Sequence, residues 1–225
     1  MTAPLVPRVA WADAHLVVVD KPPGMPSVPA RNPRDPPAVA RVLAAEWGPL
    51  EAVHRLDRDT AALGRALESR RVTKRYLAVV VGVPPAAGGT IHLPLADDPG
   101  RPPAKRVDPI VGRRATTRWR VIETIGRGAE VCTLVELEPV TGRSHQLRAH
   151  LAWLGCPVAG DGLYGREGRA SSAALALHAA TLEFPHPADG RPLRLAAPPA
   201  AADWSRFGAS LAAWFTSRSA ATPSG

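Results

Sequence analysis

Cysteine is nearly absent from this chain: of 225 residues only Cys132 and Cys156 carry a thiol. Two thiols exclude a disulfide-stapled secreted scaffold and cannot furnish a four-cysteine zinc site, so a reducing cytoplasm is the expected compartment. A long hydrophobic run is missing too. The apolar stretch Leu16 to Val19 is closed by Asp20 and Lys21, far short of the roughly 20 apolar residues that cross a bilayer or of a signal-peptide core. A soluble protein without a membrane partner is expected. Neither HExxH nor CxxC spacing occurs, and the tightest pair among the seven histidines, His145 and His150, is five residues apart and so off one helical face. Gly24 and Gly160-Asp161-Gly162 lack any GxGxxG or GxxxxGK[ST] context. Neither a metal nor a nucleotide cofactor is expected. Acidic residues are the scarcer charge, 20 Asp and Glu against 28 Lys and Arg, for a formal net charge of +8. Such an excess suits a polyanionic partner, with nucleic acid ahead of membranes.

What the chain does have is 45% hydrophobic residues over a length that can bury one sizeable core. A single domain over residues 1–216 with a tail at 217–225 is the expectation. The 25 prolines and 19 glycines are dispersed, as in stiffened loops. His15 to Val19 reads as a short strand running into the rigid turn Asp20-Lys21-Pro22-Pro23-Gly24. Pro36 to Trp47 carries Val39, Val42, Leu43 and Trp47 at helical spacing, and Leu63 to Arg71 reads as a second short helix. Arg75 to Val81 predicts a strand, and Thr90 to Leu95, Thr116 to Thr124 and Val131 to Glu138 predict three more. Ser144 can cap a helix to Leu154 whose Leu147, Leu151 and Leu154 form one stripe, with Gly155 as its stop. Ala174 to Phe184 and Pro192 to Leu195 look like strands, and Ala201 to Phe215 like a helix with Trp204, Phe207, Leu211 and Trp214 inward. The class is α+β, a mixed and largely antiparallel sheet flanked by helices.

Two polar constellations stand out. Val53-His54-Arg55-Leu56-Asp57-Arg58-Asp59-Thr60 packs six polar side chains into eight positions. If extended, it places Arg55, Asp57 and Asp59 on one face, where cationic neighbours keep a carboxylate ionised and poised as a nucleophile. A solvated turn with local ion pairs explains the octapeptide equally well. Glu138 to His150 joins a strand to the capped helix, and Arg148 borders the apolar stripe. Its guanidinium then points inward and needs an anion, for which Asp57 is the sequence's candidate. An arginine with its stem on the core and its head in water is the alternative.

The chain resembles the RluA-type pseudouridine synthases, which isomerise uridine to pseudouridine in structured RNA. The resemblance rests on Asp20-Lys21-Pro22-Pro23-Gly24-Met25-Pro26, on His54-Arg55-Leu56-Asp57-Arg58-Asp59-Thr60, and on Arg71 to Gly82 with its Lys74-Arg75-Tyr76. Thr141 to His150, continued by Gly155-Cys156-Pro157 and Gly160-Asp161-Gly162-Leu163-Tyr164-Gly165, forms a fourth block, and Leu177-His178-Ala179 through Phe184-Pro185-His186-Pro187 a fifth. The resemblance implies the pseudouridine synthase catalytic fold, with Asp57 as the aspartate that attacks the target nucleotide and Arg148 as its ion-pair partner. Tyr76 would stack on the flipped uracil and help the proton transfer at C5, and Arg55 would fill the space that the base leaves. Arg58, Lys74, Arg143, His145 and Gln146 would contact the RNA. It implies no cofactor, a cytoplasmic enzyme favoured as a monomer, and ribosomal or transfer RNA as substrate. The roles suit the chemistry, because a base leaving an RNA stack costs a few kcal/mol that an inserted cation and an aromatic landing surface offset.

One departure is local. The family's strand after the catalytic block is missing, since Thr60-Ala61-Ala62 runs almost directly into Leu63-Gly64-Arg65-Ala66-Leu67. A displaced nucleophile could lose about a hundredfold in rate, so an RNA-binding protein or RNA chaperone of the same fold with impaired catalysis is the competing function. The resemblance is to the catalytic domain alone, and the small S4 RNA-binding domain of many relatives is not expected ahead of it. Asp57-Arg58-Asp59-Thr60 matches the nucleophile loop of haloacid-dehalogenase-like phosphatases too, but His54 and Arg55 interrupt the apolar strand that such a loop follows, and Gly165 stands where its later acidic residue belongs.

Overall fold

The structure is a computed structural model that describes residues 6–22, 25, 37–48, 50, 72–165, 174–199 and 202–219. In chain order its elements are β1 (Arg8–Ala12), β2 (Val17–Asp20), α1 (Val39–Trp47), β3 (Thr73–Val81), β4 (Gly88–His92), β5 (Leu95–Asp97), β6 (Lys105–Val107), β7 (Thr116–Ile125), β8 (Cys132–Pro139), α2 (Gln146–Trp153), β9 (Leu177–Pro185), β10 (Pro192–Ala196) and α3 (Gly208–Ser219). Short 3-10 segments occupy Gly128–Glu130 and Ala202–Phe207. The chain divides into two compact units, Met1–Val72 with Glu183–Ala197, and Thr73–Leu182 with Pro198–Gly225.

In the first unit β1 and β2 pair antiparallel, with Arg8 opposite Asp20 and ion-paired to it at 3.1 Å. Asp13 shapes the turn between them by accepting the amide N–H groups of His15 and Leu16 on one carboxylate oxygen. Its other oxygen accepts from Nε2 of the buried His186, at 2.7 Å. Helix α1 buries Leu43.

In the second unit β9, β3, β8, β7 and β4 lie side by side in that order, and β9 continues past Leu182 into the first unit, where β10 is its neighbour. The pairs β3–β8, β8–β7 and β7–β4 are antiparallel. Sequence dictates the order: Leu77, Ala78, Val79 and Val80 are all buried, so β3 is the unbroken apolar run of a strand covered on both faces, and its neighbour β8 is buried from Thr133 to Leu137. Strand β7 alternates instead, with Thr117 and Trp119 buried and Arg118 and Arg120 exposed, the pattern of a strand whose second face reaches water.

Register fixes which side chains share a face. Arg120 lies opposite Glu136, and Glu136 opposite Leu77, while Trp119 lies opposite Leu137, and Leu137 opposite Tyr76. Facing residues point the same way, so Arg75, Leu77, Arg120, Glu136 and Glu138 form one face and Lys74, Tyr76, Thr117, Trp119 and Leu137 the other. Helix α2 packs on the second face through Gln146 and His150, which both bond Thr117. Helix α3 packs on the first, where Trp214 Nε1 donates to Glu136 at 3.0 Å.

The α+β sheet with flanking helices matches the reading of the sequence, and the differences are local. Thr90 to Leu95 breaks at Leu93 and Pro94, because Pro94 has no amide N–H to donate. Ser144 is exposed and does not cap α2; His145 holds the flanking position with φ of 54° and no side-chain cap bond. At its other end α2 stops as expected: Gly155, with φ of 77°, donates to Ala152 and Cys156 donates to Leu151, the paired bonds of a glycine-terminated helix. The segment after Pro199 starts as a 3-10 turn, and α3 runs to Ser219, into the expected tail. Arg218 holds that last turn, bonded to Glu136 at 2.7 and 2.9 Å and stacked on Trp214 with 4.3 Å to the ring centre. The helix expected over Leu63 to Arg71 lies outside the described residues.

Candidate active site

Arg148 projects from the middle of α2 with its apolar neighbours Leu147 and Leu151 buried in the core. Its guanidinium points inward, as the apolar stripe requires, and meets a carboxylate: Nε and Nη2 donate to the two oxygens of Asp161 at 2.7 and 2.6 Å. A bidentate pair of this kind is the strongest and most directional an arginine makes. The Asp161 side chain is 0% exposed and that of Arg148 19%. Asp57, the partner expected from the sequence, lies outside the described residues, as do Arg55, Arg58 and the shortened segment after Thr60.

A tight loop presents Asp161. Its Oδ1 accepts the backbone N–H groups of Leu163 and Tyr164, both at 3.0 Å. Gly165 closes the loop by donating to the Asp161 carbonyl at 2.8 Å, and a Cβ at position 165 would stand 2.4 Å from that oxygen, so only glycine fits. Burial pushes the Asp161 carboxyl up, but the Arg148 bonds, the two amides and the Arg148 charge outweigh it and hold the group below the usual carboxylate range. Arg148 is raised in turn by the Asp161 hydrogen bond. Both groups are charged at neutral pH.

Tyr164 adds the floor. The Arg148 guanidinium lies 5.1 Å from its ring centre. Its hydroxyl accepts the Lys105 amide at 2.6 Å and lies 3.3 Å from Nδ1 of His145. Burial, then the charges of Arg148 and Lys105, lower the His145 pKa against a smaller opposing pull from Asp161, so the imidazole is neutral near pH 7. A non-glycine residue in the left-handed region marks a backbone held by its surroundings. Here it is the residue that starts the arginine's helix.

Tyr76 and Lys74 share the α2 face of the sheet with these groups. Burial raises the Tyr76 phenol above its ordinary value and lowers the Lys74 amine. Tyr76 is packed against the core, with a phenol that keeps its proton at neutral pH. Arg143 donates Nε to the Arg114 carbonyl at 3.2 Å and is partly exposed, within reach of a partner in solvent.

Gln146 corrects an expectation. Read from sequence as an RNA contact, it is 3% exposed, and both ends of its amide are occupied. Nε2 donates to the Thr116 carbonyl and Thr117 hydroxyl at 2.9 and 3.0 Å, while Oε1 accepts from Thr141 and Arg143 at 2.7 and 3.0 Å. It braces the start of α2 against β7. His150 does the same a turn later: Nε2 must donate to the Leu93 carbonyl at 3.0 Å, which leaves Nδ1 to accept from Thr117 at 2.8 Å.

Sequence reasoning assigned no role to Asp161 or Tyr164, although both stand in the Gly160 to Gly165 block. The signal was an aspartate between two glycines thirteen residues after an arginine that needed an anion.

A cleft of about 410 Å³ is lined by Val81, Gly82 and Val83 at and just past the end of β3, by Gly155 to Val158, and by Asp161 and Gly165. Val81 is five residues along β3 from Tyr76, about 16 Å at the rise of a strand, so the cleft is not the surface that Tyr76 offers.

Comparison with known proteins agrees with this fold. The family described as RNA pseudouridylate synthase matches residues 15–153. The dual-specificity RNA pseudouridine synthase RluA of Escherichia coli (strain K12) is 36% identical over 204 residues, covering 84% of this chain and 92% of its own. The enzyme of the same name from Yersinia pestis is 37% identical over 199 residues, covering 82% and 95%. Among solved structures, human RNA pseudouridylate synthase domain containing 1 superposes with a TM-score of 0.72 at 23% identity, covering 97% of this chain and 96% of that one. Human RNA pseudouridylate synthase domain containing 4 gives 0.69 at 24%, covering 91% and 93%. These two speak for the fold, and the bacterial relatives for more than the fold: the chain belongs to the RNA pseudouridylate synthases of the RluA type, isomerases of uridine in RNA.

Proposed function

We propose that the protein converts uridines of structured ribosomal and transfer RNA to pseudouridine, with Asp57 as the nucleophile, in the cytoplasm. In this isomerisation the N1–C1′ bond breaks, a C5–C1′ bond forms, C5 loses its proton and N1 gains one, so atoms balance without a redox step. Asp57 attacks, Arg148 keeps it charged and oriented, and Tyr76 receives the flipped base. The observation that carries the reading is Arg148, partly exposed and held bidentate by the buried Asp161, on the same side of the sheet as Tyr76. A guanidinium so held serves an anion. Tyr76 acts as an aromatic surface and proton-bearing phenol, because burial works against its phenolate. Arg55, Arg58, Lys74, Arg143 and His145 are the RNA contacts. The surplus of +8 supports RNA affinity, which therefore falls with salt. The relatives' shared description as dual-specificity supports more than one RNA target. The two cysteines support a reducing compartment, and among the described residues no helix is long and apolar enough to cross a membrane.

The test is pseudouridine mapping by mass spectrometry of ribosomal and transfer RNA from cells with and without the gene, with purified protein added back. Positions that vanish and then return identify the substrates. Unchanged maps with a folded protein that still binds RNA would favour a binding protein with an idle nucleophile.

A further inference from the structure

The mechanism above uses Arg148 and leaves Asp161 without a part, yet Asp161 is the better buried of the two. An arginine side chain has four rotatable bonds, so a guanidinium that must meet a reacting anion to within an ångström needs its own anchor. Asp161 is built as one. It takes the Nε and Nη2 edge of the guanidinium. Its own carboxylate is pinned by the amides of Leu163 and Tyr164, and the loop that carries it is closed by Gly165. The Tyr164 ring limits the remaining freedom from one side. Asp161 takes one edge of the guanidinium, so the edge turned away from it, with Nη1, is the one left for chemistry. The pair also has a charge consequence. One guanidinium and one carboxylate sum to zero, so Arg148 offers directed N–H groups and not an uncompensated positive charge. An uncompensated cation would depress a neighbouring nucleophilic carboxylate and make it a poorer base and nucleophile.

We infer that Asp161 is a positioning residue for the isomerisation: it fixes the guanidinium of Arg148 by one edge and cancels its charge, so that the other edge orients the nucleophile without over-stabilising its anion. The inference rests on the roles proposed for Asp57 and Arg148. It assigns to the Gly160 to Gly165 loop a function in the rate of reaction in place of RNA affinity.

The experiment is single-turnover pseudouridine formation at saturating protein, from pH 4.5 to 8.5, on transfer and ribosomal RNA purified from cells lacking the gene. RNA binding is measured in parallel, and melting temperature reports folding. Asp161→Asn should slow the reaction at least tenfold with RNA affinity within about twofold of wild type. The acid limb of its pH profile should move to lower pH, because the guanidinium is then uncompensated. Asp161→Glu keeps the charge but shifts it by one methylene. It should be slowed with its acid limb unmoved, which separates geometry from charge. Arg148→Met combined with Asp161→Asn should be no slower than Arg148→Met alone if Asp161 acts through Arg148. That double variant leaves no buried charge and remains measurable if Asp161→Asn alone folds poorly. A folded Asp161 variant with wild-type rate and an unmoved acid limb overturns the inference, and so does a double variant much slower than Arg148→Met. If Arg148→Met itself turns over at the wild-type rate, the role of Arg148 falls, and the inference falls with it for a distinguishable reason.

Discussion

On the α2 side of the sheet one guanidinium meets one carboxylate; on the α3 side three crowd a single one. Glu136 accepts from Arg75 at 3.0 Å, Arg120 at 2.5 Å and Arg218 at 2.7 Å, as well as from Trp214. Glu138 adds Arg118 and a second contact to Arg75. The Arg120, Arg75 and Arg218 side chains are 57%, 30% and 21% exposed around a Glu136 that is 6% exposed, and the cluster ties β3, β7, β8 and α3 together. Asp161 has one arginine, no exposure and a loop of amides behind it. The same functional groups therefore serve two purposes. A many-to-one cluster fastens elements and keeps a surplus of positive charge, whereas a one-to-one pair holds one side chain in one pose.

The comparison breaks first on activity. Arg148→Ala should slow pseudouridine formation by about a hundredfold or more, since a nucleophile left about an ångström out of place loses about that much in rate. Glu136→Gln should leave the rate per folded molecule within about threefold. Single-turnover rates normalised to the folded fraction check both, and equal losses would dissolve the distinction. Stability is the second readout, and both sides of the sheet should register in it. Glu136→Ala removes the shared acceptor of three arginines and the Trp214 N–H, a loss of about 2 kcal/mol once the exposure of the arginines is allowed for, read from urea midpoints at pH 7.

Acid sharpens the contrast further. Burial pushes the Glu136 carboxyl up, but the Trp214 bond, Arg120 and Arg218 hold it below its ordinary value, and Asp161 is lowered likewise. A carboxyl lowered in the folded state stabilises above its unfolded pKa, and that stability is lost as pH falls through the folded value. Urea midpoints taken from pH 7 to pH 3 should therefore fall, and Glu136→Gln should flatten that limb. The smallest effect belongs to His150, whose pKa burial lowers. Its unfolded form takes a proton first, so stability should rise as pH climbs through about 6.5. His150→Gln should reduce the slope between pH 5.5 and pH 7.

Local signals made most of the fold legible. The apolar run of β3, the Gly155 stop of α2 and the inward Trp204, Phe207, Leu211 and Trp214 all follow from spacing alone. What escaped depends on distant partners. Gln146 reads as a polar residue at a helix start, and only the return of β7 beneath it turns it into a buried brace. Ser144 has the chemistry of a cap, but the left-handed turn at His145 takes the flanking position. The end of α3 is held by Arg218, whose acceptor lies 82 residues earlier. The inward arginine was legible and so was its need for an anion. That Asp161 would meet it was not, because that depends on how the chain folds back after α2.

The most direct test of the central claim follows the C5 proton. RNA labelled with tritium at uridine C5 must release the label when C5 becomes bonded to C1′. The purified protein should release tritium in step with pseudouridine formed, and Asp57→Asn should release none while still binding the RNA. Undiminished release by Asp57→Asn, or none by the wild-type protein on RNA from cells lacking the gene, would contradict the account.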